Sequence, residues 1–538
     1  MNEPVVPARY YVDRVMAELP RALTLLDRDP SSPSHGCFDR NYWHYRTQDF
    51  PSGMYQELAL PLAQAFAVAW PGNRFHGAPR LRELALAAVD FAERSAHADG
   101  SCDDYFPNER ALGATAFAAA ACAETLRLLE EREPSRLAFL GKRCRWLLGA
   151  HESGRLTNHH ALVALAAART ARLLDDADLL ERARVPLARC LEWQHQEGWF
   201  PEYEGADPGY QTLTLAFLAA VAELLPSPEL DAALDRALGF AVHFLHPDGS
   251  YGGETGSRNS CQVLPSGFER LAARSPEARY LADGWLAGAA AGRAGHPDDD
   301  RIFCHWLHDF VTAHLARAAR GTAGVERWVP PSGRTAFPAA GLQVIREGDW
   351  TLVIATGKGG VLRACRGDRL VASDTGIVAR AGKDRWVTHG VDPEAEVWLE
   401  EHAVTVAGRF QRAPHHLPSP AKQVVFRLVN ATLGRVAPDL LRRLLQRILI
   451  TGKRPVPIRF ERRIDWSGDA LEIRDRLEAS PAEVRALERL WASSDATSIY
   501  GAASNLWQAA SLQRWETLDE AVGELRTRGR VEIRRSHR

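Results

Sequence analysis

The sequence predicts a multidomain fold of α and β structure, in which an N-terminal (α/α) toroid, incomplete or closed, is followed by a C-terminal antiparallel β-sandwich. Three observations support this prediction. Polar, glycine-marked loops recur roughly every fifty residues in an alanine-rich first half. Two helix-length segments separate successive loops, and beyond about residue 330 short runs of β-forming residues replace them. A repeat of this length is typical of helical-hairpin arrays.

Length, charge and cysteine usage narrow the class of protein. A chain of 538 residues exceeds what one hydrophobic core usually supports. A net charge of −2 gives no attraction to nucleic acid, and we expect no nucleic-acid partner. The start of the chain lacks the basic and then apolar pattern of a cleaved signal peptide. The eight cysteines are scattered singly, which favours a reducing, cytoplasmic compartment.

The helical half is predicted over residues 1–328. Alanine- and leucine-rich segments at 111–129, 161–174, 210–225 and 301–319 carry apolar residues at three- and four-residue spacing. About ten to twelve such segments make five or six hairpins, and the most apolar ones are expected on the inside of the ring. The loops between hairpins should then emerge at one end. They begin at Asp99-Gly100-Ser101, Ser153-Gly154, Glu197-Gly198-Trp199 and Asp248-Gly249-Ser250.

The β half is predicted over residues 335–538, after a proline- and glycine-containing linker at 329–334. Short runs rich in β-forming residues lie at 341–346, 350–355, 369–372, 396–399, 404–406 and 471–473. Tight-turn sequences such as Glu347-Gly348-Asp349 separate them, which favours an antiparallel sandwich.

A basic helical insertion is predicted near residues 422–463, which carry eleven lysines and arginines and only two acids. Its centre, residues 439–450, has the pattern of an amphipathic helix with a basic face. The simpler interpretation is a surface helix packed on the sandwich. The alternative is peripheral contact with anionic lipid or with an acidic partner.

Two short motifs one repeat apart carry the strongest functional signal. The first is Asn158-His159-His160, which opens a helix, and the second is Asp207-Pro208-Gly209-Tyr210-Gln211, which opens the next inner helix. This pair resembles the heparinase II/III-type and alginate-lyase-type polysaccharide lyases. The resemblance implies an (α/α) toroid followed by a β-sandwich, and β-elimination on an acidic, uronate-containing polysaccharide or oligosaccharide as the activity.

The resemblance also implies roles for the four catalytic candidates. Asn158 with His159 or His160 would neutralise the uronate carboxylate, and Tyr210 would act as base, acid or both. A tyrosine with an ordinary pKa near 10 needs a cationic neighbour to act as a base. His160, Arg258 or Arg155 could supply that charge.

One feature of the family is missing from the sequence. The family usually places a histidine on a β-domain strand shortly before an Asp-x-Gly turn. Here Asp374-Thr375-Gly376 is present, but residues 358–368 contain no histidine. Arg363 or Arg366 could supply a positive donor, although arginine does not exchange a proton near neutral pH.

Further residues are candidates for substrate binding. Glycines in the loop at 251–260 permit close approach of the backbone to a sugar, and Arg258 could pair with its carboxylate. The aromatic- and arginine-rich segment at 37–52 could bind an acidic glycan. It could equally well be a packed cap over the ring. The complete set is Arg40, Trp43, His44, Arg46, Tyr105, Glu109, Trp199, Glu202, Tyr251, Glu254, Arg258 and Asn259.

Two other functions remain open from the sequence. A toroid glycoside hydrolase would use paired carboxylates, such as Asp104 or Glu109 with Glu202, Glu204 or Asp207. A glycan-binding or assembly factor of exopolysaccharide production would keep the ring without the chemistry. No organic cofactor is indicated, and no metal-ligand spacing is present.

Overall fold

The computed structural model describes residues 9–152, 154–202, 205–293, 303–320, 326–392, 394–413, 419–437, 440–441, 455–467, 469–496 and 515–538. The helices of the first part are α1 (Tyr10–Leu25), α2 (Arg40–Trp43), α3 (Ala59–Ala67), α4 (Pro79–Arg94), α5 (Leu112–Leu128), α6 (Pro134–Gly149), α7 (Thr157–Leu174), α8 (Ala177–Arg182), α9 (Arg184–Trp193), α10 (Pro208–Leu224), α11 (Pro228–Ala241), α12 (Ser266–Leu271), α13 (Pro276–Ala290) and α14 (Phe303–Arg320). A 3₁₀ helix, Gly53–Leu58, leads directly into α3.

Six inner helices form a closed ring, in the order α3, α5, α7, α10, α12 and α14, with α14 packed on α3. Each has an outer partner, respectively α4, α6, α9, α11, α13 and α1. Inner helices have neighbours on both flanks and behind them, so α5 and α10 are buried along nearly their whole length. This explains why their sequences are apolar on almost every face. The prediction of a toroid is confirmed, and the ring is of the closed kind.

The recurring glycine-marked loops are a repeated turn. In three of them a histidine carbonyl accepts the N–H of the glycine, as in His97 to Gly100 and His246 to Gly249. Gly100 and Gly249 have φ values of +92° and +81°, which favour glycine. A Cβ on Gly249 would lie 2.5 Å from the Cα of Gly288 on an outer helix. The glycines therefore let the turn pass close to the outer helices, and the chemistry-bearing residues follow them.

The second part is built of antiparallel strands. The strands are β1 (Pro201–Glu202) and β2 (Gly205–Ala206) within the helical part, then β3 (Gly333–Phe337), β4 (Leu342–Glu347), β5 (Trp350–Ala355), β6 (Val361–Arg366), β7 (Arg369–Asp374), β8 (Gly376–Ala381), β9 (Asp384–Val387), β10 (Glu396–Leu399), β11 (Ala403–Arg412), β12 (Pro455–Asp465), β13 (Leu471–Glu478), β14 (Leu487–Ser493), β15 (Glu516–Thr517) and β16 (Arg530–His537). Helices α15 (Pro420–Val429) and α16 (Asp519–Arg528) lie among them.

Two sheets make up this part. One has the order β3-β4-β5-β6-β7, and the other has the order β15-β14-β8-β9-β11-β12-β13-β16 with β10 paired to β11. Every described pairing is antiparallel, including β11 with β12 and β4 with β5. The prediction of antiparallel sheets after the ring is confirmed. The ring ends at Arg320 and β3 begins at Gly333; the division into two domains between them stays a prediction.

The five-stranded sheet lies between the ring and the larger sheet. Val344 and Val353 belong to the hydrophobic core that continues into the helices. Their neighbours Ile345 and Leu352 belong to a second core shared with the larger sheet. Successive side chains of a strand point to opposite faces, so both faces of this sheet are buried. This explains why its strands read as continuous apolar runs.

The predicted basic insertion is corrected at its C-terminal end. Residues 455–463 form most of strand β12, in which alternate side chains are buried. Arg462 is 1% exposed and pairs with Asp374 and Asp475 at 2.6 Å each, so it does not contribute to a basic surface. The predicted amphipathic helix at 439–450 lies outside the described residues, apart from Leu440 and Leu441.

None of the helices in the described part of the chain combines the length and apolar character that crossing a bilayer requires. All eight cysteines are free thiols, and seven of them are buried.

Candidate functional site

The loops that precede the inner helices meet at one mouth of the ring. Gly53 donates its N–H to the carbonyl of Asp103, in the loop before α5. A Cβ on Gly113, at the start of α5, would lie 2.8 Å from the ring of His159 on α7. The side chain of Asn158 reaches across to Glu202, in the loop before α10. The expectation that these loops emerge at the same end therefore agrees with the contacts between them.

Asn158 and Glu202 form the centre of a polar cluster at this mouth. The Nδ2 of Asn158 donates to the Oε2 of Glu202 at 2.6 Å. The two residues are only 1% and 3% exposed. Their approach is fixed by the backbone, because Leu156 and Glu202 form an antiparallel bridge. The Thr157 hydroxyl also donates to the carbonyl of Pro201 at 2.9 Å.

His159 lies beside this pair in a position favourable to a positive charge. Its Nδ1 is 2.8 Å from the Oε2 of Glu152. Although burial opposes it, the Glu152 carboxylate raises the pKa of His159 above its usual value. The absence of a side chain on Gly113 leaves room for the imidazole. The site thus favours the cationic form of His159, which donates hydrogen bonds, next to a buried amide and carboxyl.

His160 points elsewhere, although it follows His159 directly. Its ring packs edge-on against Trp193 of α9, with the centroids 4.9 Å apart. Burial lowers the pKa of His160 to about 4, helped by the positive charge of Arg189. Consecutive residues on a helix project about 100° apart, which separates the two imidazoles. Of the two predicted histidines, His159 is therefore the one that shares a site with Asn158.

Tyr210 opens α10 one repeat further along, and Asp207 fixes its position. The Oδ1 of Asp207 accepts the N–H of Tyr210 at 3.0 Å and caps the helix. Its Oδ2 accepts the N–H of Arg258 at 2.7 Å. The guanidinium of Arg258 lies 5.9 Å from the centre of the Tyr210 ring. The phenol is therefore held next to a cation in a site where it is 4% exposed.

Arg258 links Tyr210 to the rest of the cluster. Its positive charge acts on the pKa values of both His159 and Glu202. Burial raises the pKa of Glu202 to about 8, although His159, Arg258 and the hydrogen bond from Asn158 oppose the shift. Glu202 thus carries a proton over much of the neutral range. Starts of two consecutive inner helices and the glycine-rich loop at 251–260 converge here.

Lys358 brings the β part of the chain to the same mouth, and sequence reasoning missed it. Its Nζ donates to the carbonyls of Glu254 and Gly256 at 2.6 Å each. A third hydrogen bond goes to the Oδ1 of Asn259. Burial lowers the pKa of Lys358 to about 8, against the opposing charges of Asp207 and Glu254. The only signal in the sequence was a lysine in the glycine-containing stretch where a histidine was expected.

The two arginines considered as substitutes for that histidine have other partners. Arg363 on β6 is buried and donates to Asp248 at 3.0 Å and to the Ser250 hydroxyl at 2.8 Å. Arg366 donates to the carbonyl of Asp469 at 2.9 Å. A histidine of the β part does lie near Lys358, at position 389. The Nδ1 of His389 is 2.9 Å from the carbonyl of Thr375, and burial lowers its pKa to about 3, with the charge of Lys358 adding to the shift.

The aromatic segment at 37–52 forms a cluster of its own. Arg40 donates to the Tyr45 hydroxyl at 2.8 Å and lies over its ring. The indole of Trp43 donates to the carbonyl of Leu25 at 2.8 Å, and the His44 ring packs against Trp43. Arg46 has a φ of +55°. The contact with Leu25 favours the packed-cap interpretation for Trp43, whereas His44 and Arg46 are exposed.

The acidic loop at 103–109 is also engaged in local contacts. The Oδ1 of Asp104 accepts the Ser52 hydroxyl at 2.6 Å. The Oε2 of Glu109 accepts the N–H groups of Asp104 and Tyr105 at 3.1 and 2.6 Å. Tyr105 is 57% exposed at this edge of the mouth. Of these residues, Tyr105 presents the most surface to a ligand.

Two residues predicted as sugar contacts have hydrogen bonds within the protein. Tyr251 is 2% exposed, and its hydroxyl donates to the carbonyl of Ala241 at 3.1 Å, so it stabilises the ring core. The indole of Trp199 donates to Glu197 at 2.9 Å. The same carboxylate accepts the N–H groups of Ala339 and Ala340, so Trp199 belongs to the contact between ring and sheet.

A second polar cluster could hold a metal ion. Glu57, Cys304 and His305 each place a ligand atom within 4.8 Å of the others. The Glu57 carboxylate lies between His305 Nδ1, at 2.5 Å, and His308 Nε2, at 2.6 Å. Both of its oxygens thus have hydrogen-bonding partners in the described structure, and the cluster is satisfied electrostatically as it stands.

No protein-family model matches the sequence, and no curated protein matches it. Solved structures do match. The chondroitin AC lyase of Streptomyces coelicolor A3, in complex with chondroitin sulphate, is 13% identical with a TM-score of 0.55, over 92% of this chain and 69% of that one. The Paenibacillus xanthan lyase is 12% identical with a TM-score of 0.53, over 89% of this chain and 46% of that one.

The ring followed by antiparallel sheets is thus the fold of these polysaccharide lyases, and the predicted resemblance to a heparinase-like lyase fold is confirmed at the level of the fold. This chain spans about half the length of the xanthan lyase. At 12–13% identity the likeness concerns the fold alone.

Proposed function

We propose that this protein is a polysaccharide lyase that cleaves an acidic, uronate-containing polysaccharide by β-elimination. The observation that carries the proposal is the convergence of four groups at one mouth of the ring. They are the amide of Asn158, the imidazole of His159, the phenol of Tyr210 and the guanidinium of Arg258. This is the set of groups that the reaction needs.

The reaction removes the proton α to the uronate carboxylate. The electron pair left on carbon forms a C=C bond, the C–O bond to the leaving sugar breaks, and the leaving oxygen takes a proton. Negative charge builds up on the carboxylate as the proton departs, so donors must be fixed around it beforehand. Asn158 and cationic His159 fill this role. The raised pKa of His159 extends to higher pH the range in which it is protonated.

Tyr210 is the group that we assign as the base that removes the α proton. A nearby cation favours the phenolate, and Arg258 stands over the Tyr210 ring. The Asp207 cap fixes both the start of α10 and the backbone of Arg258. The backbone segments that carry the phenol and its cation are therefore held together, which favours a defined geometry for proton transfer. The same phenol, once protonated, serves the leaving oxygen.

A glycoside hydrolase is the second candidate, and one observation favours it. The raised pKa of Glu202 suits the general acid of a hydrolase. A hydrolase also needs an ionised partner carboxylate facing the sugar. Asp104 accepts a hydrogen bond from Ser52, Glu109 from its own loop, and Asp207 from a helix start. Glu204 lies outside the described residues. The lyase assignment is better supported, because the groups that it needs lie together and it does not require a second, ionised carboxylate.

The experiment is incubation with a panel of uronate polysaccharides, followed by the ultraviolet absorbance of the new C=C bond. The wild type should generate absorbance on at least one polymer, and Tyr210→Phe should reduce the rate by about a hundredfold or more. Tyr251→Phe is the matched control, since its hydroxyl is bonded to Ala241 and lies outside the cluster. Chain cleavage without absorbance would favour the hydrolase. Binding without cleavage of any polymer would favour a glycan-binding factor.

A further inference from the structure

Helix α15 and the turn after it, residues 430–436, expose a row of aliphatic side chains. Val424, Val425 and Leu428 are 59%, 60% and 62% exposed, and Val436 is 85% exposed. No residue of α15 is buried. Amphipathic helices of globular proteins normally turn such a row towards the core. Here the row faces water, which points to a binding surface.

The opposite side of this segment is anchored to the ring, so its orientation is defined. The ring of Phe426 packs edge-on against Phe106, with centroids 5.4 Å apart. Asn430 is fully buried, and its carbonyl accepts the side-chain amide of Asn108 at 3.5 Å. Arg427 pairs with Asp49 at 2.8 Å. The polar and aromatic side of α15 thus contacts protein while its aliphatic side faces outwards.

The charge of the segment identifies the kind of surface it fits. Residues 419–437 contain Lys422, Arg427 and Arg435 and no acidic residue. The protein as a whole has a net charge of −2, so this positive charge is local. Aliphatic residues flanked by lysine and arginine are typical of helices that lie in the headgroup region of an anionic bilayer.

Protein partners fit the surface less well. The cores of protein interfaces are enriched in tyrosine and tryptophan, and the exposed row on α15 contains neither. A symmetric dimer through this face would bring Lys422 and Arg435 of two copies together. Like charges across an interface oppose association.

We propose that α15 and the turn after it dock this protein on an anionic lipid bilayer, with Val424, Val425 and Leu428 inserted at the headgroup boundary and Lys422 and Arg435 on the lipid phosphates. The inference does not depend on the proposed lyase activity. Because α15 packs on the loops at 49–50 and 106–108, docking would hold the mouth of the ring beside the membrane surface.

The test uses the full chain in co-sedimentation with vesicles of phosphatidylglycerol and phosphatidylcholine, and with vesicles of phosphatidylcholine alone. We expect binding to the anionic vesicles that weakens as salt increases. The triple variant Val424→Ser, Val425→Ser, Leu428→Ser keeps the charge. Its affinity for the anionic vesicles should fall by a factor of roughly ten or more. Lys422→Gln with Arg435→Gln should remove most of the salt dependence.

The matched control is Val185→Ser with Leu315→Ser, which removes exposed aliphatic side chains, 61% and 41% exposed, from other surfaces. It should bind as the wild type does. Unchanged binding of the triple serine variant would overturn the proposal, as would no binding to anionic vesicles. A wild-type dimer in light scattering that the triple variant abolishes would instead assign the row to a second copy of this chain. Thermal unfolding of each variant shows whether it is folded.

Discussion

At the scale of single residues, the adjacent histidines at the start of α7 show how position decides chemistry. Glu152 raises the pKa of His159, whereas burial beside Trp193 lowers that of His160 to about 4. The fold therefore favours the cationic form of His159 and the neutral form of His160. The sequence Asn158-His159-His160 cannot distinguish them, because Glu152 and Trp193 are brought to them only by the fold.

Glu152→Gln tests this difference. If cationic His159 stabilises the substrate carboxylate, activity falls as pH rises through the raised pKa of His159. Removing the Glu152 charge lowers that pKa, so the alkaline limb of the pH–rate profile should move to lower pH. The measurement is kcat/KM against pH on the polymer that gives absorbance. His160→Gln should leave the limb in place, and an unmoved limb in Glu152→Gln would refute the role of His159.

At the scale of elements, the buried ion pair of Arg363 and Asp248 connects strand β6 to a turn of the ring. The two side chains are each 2% exposed and 3.0 Å apart. Although burial opposes it, Arg363 lowers the pKa of Asp248 to about 2. A carboxyl whose folded pKa is depressed contributes stability above its unfolded pKa near 4. That contribution should disappear as pH falls from about 4 to about 2.

Arg363→Met should therefore cost about 3–5 kcal/mol in the free energy of unfolding near neutral pH, because it leaves the Asp248 charge buried alone. Urea unfolding measures the change. Arg366→Met, on the same strand but 37% exposed, is the matched control and should cost less than about 1 kcal/mol. Equal losses in the two variants would contradict a special role for the buried pair.

The elements themselves were predictable to different degrees. Strands such as β4 and β5 follow from their apolar runs, and inner helices such as α10 follow from alanine and leucine at helical spacing. Strand β12 was missed because its arginines suggested a basic surface. Arg462 is buried only because Asp374 and Asp475, distant in sequence, neutralise it. A charge pattern along the chain does not reveal such partners.

At the scale of the whole molecule, the mouth is assembled from both parts of the chain. Lys358 of the β part fixes the loop at 251–260, which carries Arg258 and Asn259. The cluster around Asn158 and Tyr210 could be proposed from their spacing of one repeat, since helix starts in such an array meet at one end. Lys358 could not, because no sequence period relates the turn between β5 and β6 to a loop of the ring.

Lys358→Met should loosen this loop without unfolding the protein. The loss of three hydrogen bonds to Glu254, Gly256 and Asn259 frees the backbone on both sides of Arg258. We expect faster tryptic cleavage after Arg258, measured by mass spectrometry of the fragments. Lys383→Met, at an exposed position in a strand turn, should leave this cleavage unchanged. Equal cleavage in wild type and Lys358→Met would show that the loop is held by other contacts.

The groups gathered at the mouth of the ring are proposed to break a uronate polymer by elimination. The most direct measurement is mass spectrometry of the oligosaccharides released in water enriched in oxygen-18. Elimination predicts products whose new non-reducing end is unsaturated, with no heavy oxygen introduced at the cleaved bond. Products that carry heavy oxygen at that bond and no unsaturation would contradict the claim.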